Sequence, residues 1–170
     1  YISVGAHAAG KANIEGENLK GVVSAVELLR GIGDGEYPDF KGKTVAVIGG
    51  GNVAMDVTRT SIRLGAQKVS IVYRRTRDEM PAEDIEIEEA GHEGVQFKFL
   101  RAPTEILTQD GKATGIKCQV MGLGEADSSG RRRPVPVEGE YETIDADTII
   151  AAIGQYVDPS GLDYSIDGTN

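Results

Sequence analysis

The chain has 170 residues, 18 lysines and arginines against 27 aspartates and glutamates, and a formal net charge of −9, a length that fits one ordinary domain. No apolar run approaches the ~20 residues of a membrane span, no basic-then-apolar leader opens the chain, and the acidic balance argues against a nucleic-acid surface. The single cysteine, Cys118, excludes an internal disulfide framework and a four-thiolate iron–sulfur cluster within the chain, so the expectation is a cytoplasmic domain with neither nucleic-acid nor membrane partners.

Glycine is abundant at 23 residues, whereas aromatics are few, with 6 Tyr, 3 Phe and no Trp. A core of Val, Ile, Leu and Ala is the palette of a parallel sheet flanked by helices. In chain order, Tyr1–Gly5 reads as a strand, followed by a Gly-rich, charged loop from Gly10 to Gly21. Val22 to Leu29 carries apolar residues at helical spacing. The stretch Gly31–Pro38 is a connector. Thr44–Ile48 is a fully apolar strand running into Gly49-Gly50-Gly51, then a helix Asn52–Leu64 with Gly65 as its C-terminal stop. Lys68–Tyr73 is the next strand, which completes a strand–helix–strand unit with a parallel, right-handed crossover. An acidic helix is expected over Ala82–His92 and a third strand over Val95–Phe99. Glu105–Thr108, Asp110-Gly111 and Thr114–Val120 form a hairpin pattern. Gly122–Gly139 reads as loop, and Ala146–Gly154 as a buried strand ending in glycine. The order is an α/β core, an antiparallel insertion and a return strand.

Gly49-Gly50-Gly51-Asn52-Val53-Ala54 fits G-x-G-x-x-A, the alanine form of the dinucleotide fingerprint. Gly49 makes the tight turn, Gly51 lets the backbone approach a pyrophosphate, and Ala54 lets helix and strand pack closely. The pyrophosphate would then meet the N-terminus of the following helix, where unpaired N–H groups and the dipole favour an anion. The apolar strand before it and the helix and strand after it are the context such a string requires.

The exit of the second strand selects the cofactor. An NAD- or FAD-type site places an acid there for the ribose hydroxyls. This chain instead has Arg74, Arg75 and Arg77, with no acid before Asp78, and Arg74 lies 25 positions beyond Gly49. Guanidinium groups at that place suit a 2′-phosphate, so NADP(H) is expected over NAD(H). Asp56 reads as a charge complementing the helix N-terminus rather than a catalytic acid. Cys118 alternates with Ile116 and Val120 and reads as a small core residue. His7 and His92 are too few and too separated for a metal site. Arg131, Arg132 and Arg133 form a second basic cluster, read as pairing with acids or a partner domain.

Four motifs in order carry a resemblance: Val47–Asp56, Val72–Ala82, Gly124–Pro134 and Ala146–Gln155. With them the chain resembles, over nearly its whole length, the pyridine-nucleotide-binding domain of flavin oxidoreductases typified by the NADPH-dependent glutamate synthase small (beta) subunit. The resemblance implies a Rossmann-like, three-layer α/β nucleotide-binding domain with a parallel sheet and an antiparallel β-meander insertion. It implies that residues 16–154 form the NAD(P)H domain, 1–15 end a flanking FAD-domain segment, and 155–170 begin the return to it. NADP(H) would be held by Gly49, Gly50, Gly51, Asn52, Val53 and Ala54 at the pyrophosphate and by Arg74, Arg75 and Arg77 at the 2′-phosphate. Ala152, Ile153 and Gly154 would lie near the nicotinamide. FAD would belong to the parent enzyme and not to this chain alone; no catalytic side chain and no metal are implied. The partners implied are the FAD domain and an iron–sulfur domain or large subunit, and the reaction is hydride transfer from NADPH to flavin. Two other readings of the same residues stand beside it: a non-catalytic NADP(H) sensor, and a self-sufficient FAD module, against which Arg74 argues.

Overall fold

The computed structural model describes residues 5–6, 8–126, 128, 130 and 132–158; most of the strand expected at Tyr1–Gly5, together with His7, Arg131 and the 161–170 tail, lies outside them. The first elements are β1 (Ala8–Ala9), β2 (Val22–Ser24) and α1 (Ala25–Gly33). The helical spacing from Val22 therefore misassigns its first three residues, which are drawn into a sheet. Ser24, in extended conformation, instead caps α1, its hydroxyl accepting from the Glu27 N–H at 3.5 Å.

The middle of the chain follows its pattern closely. β3 (Thr44–Ile48) leads into α2 (Asn52–Arg63), with Leu64 as C-cap and Gly65 at φ 91°. β4 (Lys68–Tyr73), a 3-10 turn (Arg77–Glu79), α3 (Asp84–His92) and β5 (Gln96–Phe99) follow. α3 starts two residues later than its acidic run suggests. The Ala82 N–H donates to Gly50 O (3.2 Å) and the Glu83 N–H to Asn52 Oδ1 (2.9 Å), which ties this stretch to the glycine loop before the helix begins.

β6 (Arg101–Gln109) and β7 (Lys112–Ala126) join through Asp110 (φ 53°) and Gly111 (φ 72°), a two-residue turn whose left-handed backbone suits the strand twist. β8 (Arg132–Asp145) then pairs antiparallel with β7, so much of the expected 122–139 loop is strand. Pro134 and Pro136 mislead because β8 pairs with β7 alone: an edge strand offers only part of its N–H groups to a neighbour and tolerates proline. β9 (Thr148–Ala151) and β10 (Gln155–Tyr156) close the described chain.

The five-stranded sheet has the order β2-β9-β3-β4-β5 with every pairing parallel. Alternate residues face opposite sides. Val45, Val47, Val69, Ile71 and Ile150 pack against Met55, Val57 and Ala54 of α2 and Ile87 of α3. Ala46, Ile48, Val72 and Ile149 face the meander, meeting Ile106, Ile116, Cys118 and Ile144. Helices, parallel sheet and antiparallel meander thus make three layers over two cores. Arg59 of α2 bridges to Glu86, Glu89 and Glu93 at 2.6–2.8 Å, which gives the acidic face of α3 a partner. β1 and β10 pair antiparallel, bringing residues 8–9 and 155–156 together.

Candidate dinucleotide site

Because the sheet is parallel, β3, β4 and β9 all end at one edge. The chain moves from β3 to β4 on one side, while β9 lies on the other. Such a reversal opens a crevice at the carboxyl ends of the strands. Gly49 turns out of β3 at φ 143°, and a Cβ there would collide with Ala152 O at the end of β9. A Cβ at Gly50 would come within 2.7 Å of the Tyr73 ring, whereas one at Gly51 would meet only Pro81, at 3.8 Å. The first two glycines are therefore demanded by the protein, and the third leaves open space.

Gly51 is the N-cap of α2, whose first turn carries no acid. The Ala54 and Met55 N–H groups both turn back to Gly51 O, at 2.9 and 3.2 Å. The N–H groups of Asn52 and Val53 precede the first intrahelical bonds and, with the helix dipole, favour an anion. Ala54 is fully buried, so its methyl serves packing, while the exposed Asn52 uses Oδ1 to hold Glu83.

A cavity of about 590 Å³ lies over this turn, lined by Gly49–Gly51, Tyr73–Arg75 and Ala152–Gly154 among others. Its cations are Lys11, Arg74 and Arg75, and no described carboxylate lines it. In a chain of net charge −9 that is a selective exclusion. Arg74 is exposed and has no hydrogen bond or ion pair among the described residues. Arg75 lines the cavity but donates from Nε to Arg132 O (2.9 Å). Arg77 does not join them: it turns to α3, facing Glu88 at 3.4 Å and Asp84 at 3.7 Å. Glu79, a buried acid in the turn after β4, is folded inward, where Oε2 accepts from the Thr76 N–H (3.1 Å) and hydroxyl (2.5 Å). The Thr76 hydroxyl, aided by the charge of Arg132, holds the Glu79 carboxyl below its ordinary range.

Lys11, Tyr73, Pro81, Ala102 and Pro103 also line the cavity and were not singled out by sequence. Tyr73 had a signal in its place at the end of β4; Lys11, one of two lysines in the Gly-rich loop, had none. Asp56 is exposed on α2 and does not line the cavity. Cys118 is fully buried and its thiol is pushed up to about 12 by burial. No cluster of metal-ligating side chains occurs among the described residues, and no described helix is long and apolar enough to cross a membrane.

Comparison with known proteins places this geometry. The chain matches the pyridine nucleotide-disulphide oxidoreductase family over residues 2–168. It is 44% identical over 169 residues to the beta subunit of an NADP(+)-dependent formate dehydrogenase of Moorella thermoacetica, covering 98% of this chain and 24% of that one. It is 43% identical over 164 residues to the beta subunit of an NADPH-Fe(3+) oxidoreductase of Geobacter sulfurreducens, covering 94% and 24%. The glutamate synthase [NADPH] small chain of Escherichia coli is 37% identical over 165 residues, covering 91% and 35%. The chain therefore spans about a quarter to a third of the length of these relatives. FprA of Mycobacterium tuberculosis, in complex with NADPH, shares the fold with a TM-score of 0.78 at 24% identity, over 96% of this chain and 51% of that one. Thioredoxin reductase of T. acidophilum does so at 0.66 and 22%, over 89% and 43%. With the family matched across nearly the whole chain and the glycine turn, parallel sheet and meander in place, this chain belongs to the pyridine nucleotide-disulphide oxidoreductase family.

Proposed function

We propose that this chain is the NADPH-binding domain of a flavin-dependent, iron–sulfur-linked oxidoreductase, the port through which NADPH delivers reducing equivalents. The observation that carries the reading is the cavity at the β3/β9 crevice: a glycine turn, a helix N-terminus without a side-chain cap and the guanidinium of Arg74, which has no partner among the described residues, with no described carboxylate in the lining. A dinucleotide fits that cradle, because a Cβ at Gly51 would stand in otherwise open space at the helix start.

Gly49–Gly51 and the first N–H groups of α2, from Asn52 and Val53, would hold the pyrophosphate, with Ala54 keeping the helix close to β3. Arg74 would take the 2′-phosphate, and Arg75 would add charge beside it. Ala152, Ile153 and Gly154 would border the nicotinamide. NADPH held here would supply a hydride for a flavin, chemistry that needs no proton donor from this chain. The chain's own contribution is binding, orientation and charge.

The flavin is assigned in this reading to an FAD domain that residues 16–154 interrupt, reached through 1–15 and 155–170. The pairing of β1 with β10 supports this, since it holds both flanking stretches side by side. The relatives' names, an NADP(+)-dependent formate dehydrogenase beta subunit, an NADPH-Fe(3+) oxidoreductase beta subunit and a glutamate synthase [NADPH] small chain, support a place in a larger NADPH-linked redox assembly, to which this reading adds an iron–sulfur partner and a cytoplasmic setting.

Titrating Arg74→Glu with NADPH tests the reading. A charge-assisted contact is worth about 1.5–3 kcal/mol, so the variant should bind NADPH roughly ten- to a hundredfold more weakly. Unchanged affinity would remove Arg74 from the site.

A further inference from the structure

The end of the β7–β8 hairpin reaches across the fold to the exit of β4. Arg75 Nε donates to the Arg132 carbonyl at 2.9 Å. The Arg132 guanidinium donates to the opposite strand, from Nε to Gly124 O and from Nη2 to Leu123 O, both at 3.2 Å. That clamp fixes the carbonyl to which Arg75 is bound. Glu79 accepts from both the N–H and the hydroxyl of Thr76, and its own carbonyl accepts from the Tyr73 hydroxyl at 2.7 Å. The charge of Arg132 also reaches Glu79. Tyr73, Arg75 and Thr76 are thus all held, two of them through Glu79 and one through Arg132. Arg74, between them, is left at the cavity without a partner among the described residues.

We propose, building on the NADPH reading above, that Arg132 is a positioning residue for recognition of the 2′-phosphate: by clamping the hairpin end and holding Arg75, it fixes the loop that presents Arg74. Arg132 does not line the cavity, so it acts through the loop and not on the ligand. This gives one member of the Arg131–Arg133 cluster a task inside the domain.

The test is calorimetric titration of the chain and of Arg132→Ala, Arg132→Lys, Arg74→Ala and the Arg74→Ala/Arg132→Ala double variant, each with NADPH and with NADH. Arg132→Ala is expected to weaken NADPH binding roughly three- to tenfold and to leave NADH unchanged, the range typical of coupled neighbours. In the Arg74→Ala background the same substitution should change NADPH binding by less than about twofold, because the residue it positions is gone. Arg132→Lys keeps the charge beside Glu79 and should recover part of the loss; it also serves where Arg132→Ala does not fold. Equal weakening of both nucleotides, a full additive loss in the double variant, or no loss at all would each overturn the proposal. An unsubstituted chain with no preference for NADPH would overturn the underlying reading as well, an outcome distinct from a preference that Arg132→Ala leaves intact.

Discussion

Gly49 and Ala152 directly follow the adjacent parallel strands β3 and β9, with the Ala152 carbonyl directed into the space a Cβ on Gly49 would occupy. The Ala152 N–H donates to Ile48 O at 2.8 Å, so the two strand ends are locked where the chain reverses its direction of travel across the sheet. The crevice exists because this contact holds β3 and β9 together up to their last residues.

Gly49→Ala should therefore damage the fold, through both the collision and φ 143°, at a cost of roughly 2–4 kcal/mol. Gly51→Ala has room in the protein and should change stability by less than ~1 kcal/mol while weakening nucleotide binding. Thermal unfolding and titration of the two variants separate the roles; a Gly51→Ala chain that binds NADPH normally would contradict the assignment of open space to the ligand.

Arg77 faces α3 rather than the cavity. Arg77→Glu should leave NADPH affinity within about twofold, and the lost exposed ion pairs should cost no more than ~1 kcal/mol. A loss of affinity like that expected for Arg74→Glu would place Arg77 back at the phosphate.

Cys118 is buried in the core under the meander, with its thiol pushed up to about 12. A chromogenic disulfide reagent at pH 8 should leave the folded chain unmodified and react with one thiol after denaturation. Modification within minutes under native conditions would show that the meander opens.

Glu142 accepts from Arg101 Nε (2.5 Å) and Lys98 Nζ (3.3 Å), and the Arg101 contact holds its carboxyl below the ordinary range. A depressed folded value contributes stability that is present above the unfolded carboxylate value of about 4.3 and is lost as pH falls through the folded one. Glu142→Gln should therefore unfold at a lower temperature than the unsubstituted chain at pH 7, and the gap should be smaller at a pH below that unfolded value. A gap of equal size at both pH values would assign the effect to packing.

The β3–α2–β4 unit was legible in sequence because its determinants are local: an apolar run, a glycine turn, a helical stripe and a capping glycine within one stretch. β2 was not, because Val22–Ser24 is extended only through pairing with β9, more than a hundred residues on. β8 was obscured by Pro134 and Pro136, which local rules read as breakers and an edge strand accommodates. Arg77 shared a sequence signal with Arg74 and Arg75, but Asp84 and Glu88 draw it away, and its path depends on where α3 packs. Lys11 enters the cavity through the loop after β1, a placement that no neighbouring residue announces.

The most direct measurement is a calorimetric titration of this chain with NADPH and with NADH, side by side at low salt, where charge-assisted contacts are least screened. NADPH should bind at least roughly tenfold more tightly, the worth of a charged hydrogen bond to the 2′-phosphate. Equal affinity, or a preference for NADH, would contradict it and return Arg74 to the surface.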